Sequence, residues 1–263
     1  MVRRWLGLAV VTVLAAAVPA TVDAGPVQRL RVEVLATYPH DPDAFTQGLE
    51  WHDGRLYEST GLYGFSDVRV SDIETGTVRR QVPLPEEVFG EGMTIVGDRI
   101  WQLTWREQVA FQRDRETLAE TGRATYEGEG WGLCYDERSD RLVMSDGTPR
   151  LTFRDPETFA PLDSVMVRLG TDLVEMINEL ECVDGEVWAN LWQTDQIVRI
   201  DPVTGQVEAI VDASGLLPEE QRAQADVLNG IAAVPGTDTF LITGKLWPRS
   251  FLVRFVPAAS SGA

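Results

Sequence analysis

Eight side chains of the 263-residue chain combine types that do chemistry together: Glu91, Lys245, Gln47, Asn178, Asn229 and the indoles of Trp105, Trp131 and Trp192. A carboxylate can take a proton and return it, and an ammonium can offset charge growing on an oxygen. Amides orient polar groups, while indoles shed water and present faces that attract cations. Spacing groups these residues. Gln47, Glu91, Trp131, Asn178 and Asn229 occupy one position of a repeat, at steps of 44, 40, 47 and 51 residues. Fourteen residues further on, or sixteen in two copies, stand Gly61, Trp105, Gly147, Trp192 and Lys245. A purely structural repeat places similar packing residues at equivalent sites, as it does at Leu49, Met93, Leu133, Leu180 and Ile231. The two chemical positions break that rule, and departures from a structural pattern are where function is expected. Lys245 is also the single lysine among 23 basic residues.

For these positions to meet, the copies must fold alike. Thr46-Gln47-Gly48-Leu49-Glu50 aligns without a gap on Ile177-Asn178-Glu179-Leu180-Glu181, and Gly90-Glu91-Gly92-Met93 follows the same pattern. Copies starting at Gly130-Trp131 and Leu228-Asn229 fit with turns two residues longer. Asp53-Gly54 and Asp184-Gly185, set between alternating apolar runs, supply the positive φ of a tight hairpin turn. A second turn signature follows at Asp72, Asp114, Asp155 and Asp201, where the aspartate is expected to bond the backbone two residues on. Four short antiparallel strands per unit of this length make a β-propeller blade. Five units predict an all-β, five-bladed β-propeller. There the innermost strand runs along the axis and the second returns, so both chemical positions open at one mouth.

The chain ends bear on ring closure. The fifth unit runs out at residues 251–255 after its third strand, while the apolar, β-branched residues 29–38 stand before the first unit without a hairpin partner. Pairing the two supplies the missing outer strand of the last blade and covers an open edge. One helical insertion is expected at residues 218–225, with Pro218 early in it. Upstream, Arg3 and Arg4 precede an apolar run over residues 5–17, and small residues end the stretch 21–24. This pattern predicts a secretory signal peptide over residues 1–24, too short in its apolar run to span a bilayer at the roughly 20 residues needed. Residues 25–263 are then a single exported domain with no membrane span, expected in the periplasm or outside the cell as a monomer.

Composition excludes several classes. With 41 acidic against 23 basic residues and a net charge of −18, a nucleic-acid partner is electrostatically disfavoured. Two histidines are too few for a histidine-built zinc site, and neither HExxH, CxxC, a GxSxG elbow nor a Walker loop occurs. Cys134 and Cys182 are not brought together by the sequence and are expected to be unpaired. His40 and His52 lie in or next to turns and read as surface residues, Glu127 and Glu129 as solvated loop charges, and Trp101 and Trp188 as blade packing.

The segments Phe45-Thr46-Gln47-Gly48-Leu49, Phe89-Gly90-Glu91-Gly92-Met93-Thr94, Ile177-Asn178-Glu179-Leu180-Glu181, Leu228-Asn229-Gly230-Ile231-Ala232 and Thr243-Gly244-Lys245-Leu246-Trp247-Pro248 together resemble the plant-type and bacterial glutaminyl cyclases. The resemblance covers roughly residues 30–255. It implies a five-bladed propeller that converts the N-terminal glutamine of a peptide or protein to pyroglutamate and releases ammonia, with no cofactor required for catalysis. It implies Glu91 as the acid/base residue and substrate contacts at Phe45, Gln47, Trp105, Trp131, Asn178, Trp192, Asn229 and Lys245. Plant members are associated with a structural calcium in the channel, and the sequence leaves that site open here.

The implied reaction suits the residues. The α-amine has a reference pKa of about 7.7 to 8.0, so the nucleophile needs little activation. The harder tasks are protonating the leaving nitrogen and stabilising the oxyanion, for which Glu91 and Lys245 with Asn178 are the candidates. Two other readings of the same mouth are a metal-dependent propeller lactonase, in which Glu91 and the two asparagines form a calcium shell, and a peptide-binding propeller without catalysis.

Overall fold

The computed structural model describes residues 25–258; the signal segment expected at residues 1–24 lies outside them. The protein is all-β, with one four-residue helix, Glu219–Arg222, among the described residues. That helix is shorter than the 218–225 expected. Pro218 stands just outside it as the N-cap, kept out by its extended ψ of 145° at φ −56°, while its carbonyl accepts the Gln221 N–H at 2.9 Å.

Each repeat copy forms an antiparallel meander. The first sheet contains Thr46–His52, Arg55–Thr60, Asp67–Asp72 and Val78–Pro83; the second, Gly90–Val96, Arg99–Thr104, Val109–Asp114 and Glu120–Thr125. The third contains Leu133–Asp136, Arg141–Met144, Arg150–Arg154 and Pro161–Met166. Ile177–Val183, Glu186–Leu191, Gln196–Ile200 and Val207–Asp212 form the fourth. The fifth has Leu228–Ala233, Thr239–Gly244 and Arg249–Pro257 from its own copy, and Gln28–Pro39 is its outer strand. The leading strands of the five sheets touch one another in sequence order, and the fifth touches the first.

The N-terminal strand therefore pairs antiparallel with Arg249–Pro257, as the unpaired ends required. It does more than the sequence implied. Residues from Gln28 to Arg31 also pair in parallel with Ala209 to Asp212, so one strand joins the fourth and fifth sheets into a single eight-stranded sheet.

The turns follow the local chemistry. Asp53 and Gly54 have φ of 49° and 72°, and Asp184 and Gly185 have 53° and 81°, the double positive φ of a type I′ hairpin. At the second turns Asp155 and Asp201 accept the backbone N–H two residues on, from Glu157 at 3.1 Å and Val203 at 2.8 Å, as expected. Asp72, Asp114 and Asp155 accept the N–H three residues on, from Thr75, Thr117 and Thr158 at 3.1, 2.7 and 2.7 Å. The threonine hydroxyl bonds the same carboxylate in all four, which explains the Thr in the motif.

Apolar clusters lie between successive sheets. Trp101 and Trp188 are buried packing residues, as expected. Cys134 and Cys182, expected to be unpaired, form a disulfide with a Cα separation of 5.4 Å. The repeat itself accounts for this: it sets the leading strands of the third and fourth sheets side by side, which two isolated cysteines 48 residues apart do not reveal.

Candidate active site

A local irregularity aims the chemical residues. In the leading strands the pairing register slips between Thr46 and Gly48, Gly90 and Met93, Ile177 and Leu180, and Leu228 and Ile231. Gln47, Glu91, Asn178 and Asn229 each sit inside one of these slips. A bulge leaves its extra residue unpaired and redirects the side chain, so one repeated defect turns four polar residues off the strand face. In the third sheet the equivalent Trp131 precedes the strand and donates its backbone N–H to Ser145.

A cavity of about 390 Å³ opens at these residues. Phe45, Gln47, Glu91, Trp105, Trp131, Asn178, Trp192 and Lys245 line it, together with Leu62, Phe89, Gln193, Asp226 and Val227. Asn229 does not. It is fully buried beneath the floor, where its Nδ2 donates to the Thr46 carbonyl at 3.0 Å and to Gln47 Oε1 at 3.4 Å. Gln47 in turn donates to Glu91 Oε1 at 3.2 Å. The amides thus form a chain ending on the carboxyl group, and Asn229 touches the cavity only through Gln47. Asn178 Oδ1 is buried without a hydrogen-bond partner.

Burial pushes the Glu91 carboxyl well above the usual carboxylate range; Lys245 opposes the rise, while Glu129 and Glu107 add to it. Lys245 is held below its ordinary value, also by burial, against the pull of Glu91 and Asp226. Burial outweighs the attraction between the two groups and moves both toward their neutral forms. The Lys245 ammonium lies 4.8 Å from the centre of the Phe45 ring.

The aromatic walls contact one another. Trp131 and Trp192 meet edge to face at 5.5 Å, and Phe89 lies 5.4 Å from Trp105 and from Tyr63. The two glycines at the second repeat position make room for these rings. A Cβ on Gly147 would lie 2.7 Å from Trp131, and one on Gly61 would overlap Phe89.

Three readings need correction. Glu129 is no free loop charge: its Oε2 accepts the indole N–H groups of Trp105 at 2.8 Å and Trp131 at 3.0 Å. His40 is buried, with Nδ1 2.7 Å from the Trp247 carbonyl and Nε2 3.1 Å from Glu58, which also accepts the Thr46 hydroxyl. It braces the segments that carry Gln47 and Lys245. His52 is half-buried and bonds to Arg115. Phe89, Glu129 and Val227 were missed, yet the repeat marks them: with Phe45 and Met176 they stand two residues before the first chemical position in each copy.

Glu50, Glu179 and Glu181 turn carboxyl oxygens to backbone amides of neighbouring sheets, at Ile95, at Leu49 with Ile231, and at Ala233. Among the described residues no group of three or more acidic, histidine or cysteine side chains converges to hold a metal ion. No described helix is long and apolar enough to cross a membrane.

The fold and the site define an all-β protein whose antiparallel sheets meet through their leading strands and hold a buried carboxyl and a buried lysine in one indole-walled cavity. A family model described as glutamine cyclotransferase matches residues 7–255. A glutaminyl-peptide cyclotransferase from Arabidopsis thaliana is 40% identical over 235 residues, covering 87% of this chain and 72% of that relative. The crystal structure of Myxococcus xanthus glutaminyl cyclase matches with a TM-score of 0.82 at 40% identity, covering 89% of this chain and 100% of that one. The chain belongs to the glutamine cyclotransferase family. That membership selects among the three readings of the mouth, against the lactonase and against the binding-only propeller.

Proposed function

We infer that the chain converts N-terminal glutamine of peptides and proteins to pyroglutamate with release of ammonia, acting as a monomeric five-bladed β-propeller. The observation that carries the mechanism is Glu91, a buried carboxyl facing a cavity walled by indoles, with its affinity for protons raised by burial. The glutamine side chain enters between Trp105, Trp131 and Trp192, which exclude water and hold it folded toward its own α-amine. The neutral amine attacks the carboxamide carbon. Glu91 removes one proton from the attacking nitrogen and delivers it to the leaving nitrogen, which departs as ammonia while the carbonyl re-forms. A carboxyl raised toward the pKa of the amine serves both halves of that transfer. Lys245 and the Asn178 amide offset the charge on the carbonyl oxygen between attack and departure. Gln47, anchored by Asn229, orients Glu91.

The five sheets, the cyclic contact of their leading strands and the closing N-terminal strand support the propeller reading. Export under the segment at residues 1–24 is supported by the Cys134–Cys182 disulfide, a bond that persists in oxidising compartments. Mass spectrometry of a synthetic Gln-peptide tests the activity. Loss of one ammonia from the Gln-peptide, with none from the same peptide carrying an acetylated N-terminus, is expected; an unchanged Gln-peptide mass contradicts the reading.

A further inference from the structure

Two cavity walls from different strands converge on one oxygen. Trp105 follows the second strand of the second sheet, and Trp131 precedes the first strand of the third. Both indole N–H groups donate to Glu129 Oε2, while Arg106 Nε donates to Oε1 at 3.0 Å. Arg106 also lies over the Trp105 ring, 3.7 Å from its centre. One carboxylate with both oxygens engaged therefore links the second and third sheets across the mouth. Charge-assisted bonds of this kind are the stronger ones, and two donors on one oxygen fix the ring planes relative to each other. A ring held only by packing can rotate. An indole tied at its nitrogen cannot without losing that bond.

We propose that Glu129 is a positioning residue that sets the angle of the Trp105 and Trp131 walls, and through them the pose in which glutamine is bound. The proposal rests on the cyclotransferase reading of the cavity. The same bonds keep the acceptor charged: burial pushes the Glu129 carboxyl up, yet Trp131, Trp105 and Arg106 together hold it below its ordinary value. The neighbouring Glu127 is exposed and makes no such contact, which provides an internal control.

The test compares Glu129→Ala, Glu129→Gln and Glu127→Gln by steady-state kinetics on a Gln-peptide and by near-ultraviolet circular dichroism of the free proteins. Glu129→Ala frees both indoles and is expected to raise KM roughly tenfold or more with a smaller change in kcat, and to alter the tryptophan signal. Glu129→Gln keeps an oxygen for the two N–H groups and is expected to restore the spectrum and most of the KM. Glu127→Gln should match the native protein in both. A Glu129→Ala protein with native KM and native spectrum overturns the proposal, as does equal damage from Ala and Gln. The spectra are read without substrate. If the native protein failed to cyclise glutamine, the functional reading would fall while the spectra still decided whether Glu129 holds the rings.

Discussion

Glu91 and Lys245 face one cavity with their proton affinities moved toward each other, the first up and the second down, both through burial. The direction sets the pH dependence. A general base works when ionised, so kcat/KM should rise with pH through the raised Glu91 value, with the acid limb well above the ordinary carboxylate range. Three charged groups act on Glu91: Lys245 from the fifth sheet lowers its value, and Glu129 and Glu107 from the loops around Trp105 and Trp131 raise it. Glu129→Gln should therefore move that limb to lower pH, as a pH–rate profile would show. Lys245→Arg should lose most turnover, since the wider planar fork cannot bring a compact charge to the carbonyl oxygen from the same buried position; native kcat in that variant would mean that positive charge alone suffices. The identities of these residues were readable because the repeat exposes any position that breaks it. Glu129 and His40 were not, because loop carboxylates and turn histidines are usually solvated, and only tertiary contact reveals the indoles and the carbonyl they meet.

At the scale of elements, the bulge in the leading strands does the aiming and the second-strand glycines clear the space. Gly147 has φ 79° as well as a ring where its Cβ would be, so Gly147→Ala should displace Trp131 and raise KM while sparing the fold. Peptide kinetics with a thermal melt would separate the two effects. The disulfide ties the leading strands of the third and fourth sheets across a separation of 48 residues. Replacing both cysteines by serine should cost about 4 kcal/mol on the chain-entropy scale for such a loop, measured by denaturant unfolding. Hairpins, turns and the closing strand could be placed from dipeptides and apolar alternation. Neither the bulges nor the disulfide could, because each depends on how one strand lies against its neighbour, and apolar pattern is silent about that.

Across the whole molecule, the ring is stitched at its centre by carboxyl groups. Glu179 occupies a position held by glycine in the other four copies, and its oxygens accept the Leu49 and Ile231 amides at 3.2 and 2.8 Å, joining three sheets below the cavity. Burial raises Glu179 and Glu181 well above the ordinary range and Glu50 to about 7. A carboxyl with a raised folded-state value contributes stability that is complete below its unfolded value and is lost as pH rises through the folded one. For Glu50 that window runs from 4.5 to about 7, so the melting temperature should fall as pH climbs through it, and Glu50→Gln should flatten the slope. His40, raised while burial opposes the pull of Glu58, acts in the same direction at higher pH. Glu58, held low by His40 and Arg69 against burial, acts oppositely and only in acid. The all-β plan of successive antiparallel meanders was legible because each copy repeats the same strand grammar. The stitching was not, since an alternating strand reads Glu50 and Glu181 as solvent-facing.

The proton shuttle is tested most directly by Glu91→Gln, which keeps the shape of the side chain and its contact with Gln47 but cannot accept a proton. Turnover of a Gln-peptide should fall by roughly 10² to 10⁴, the range general acid–base catalysis supplies, with the melting temperature and the affinity for the peptide preserved. A Glu91→Gln protein that releases ammonia from the peptide at the native rate would contradict it.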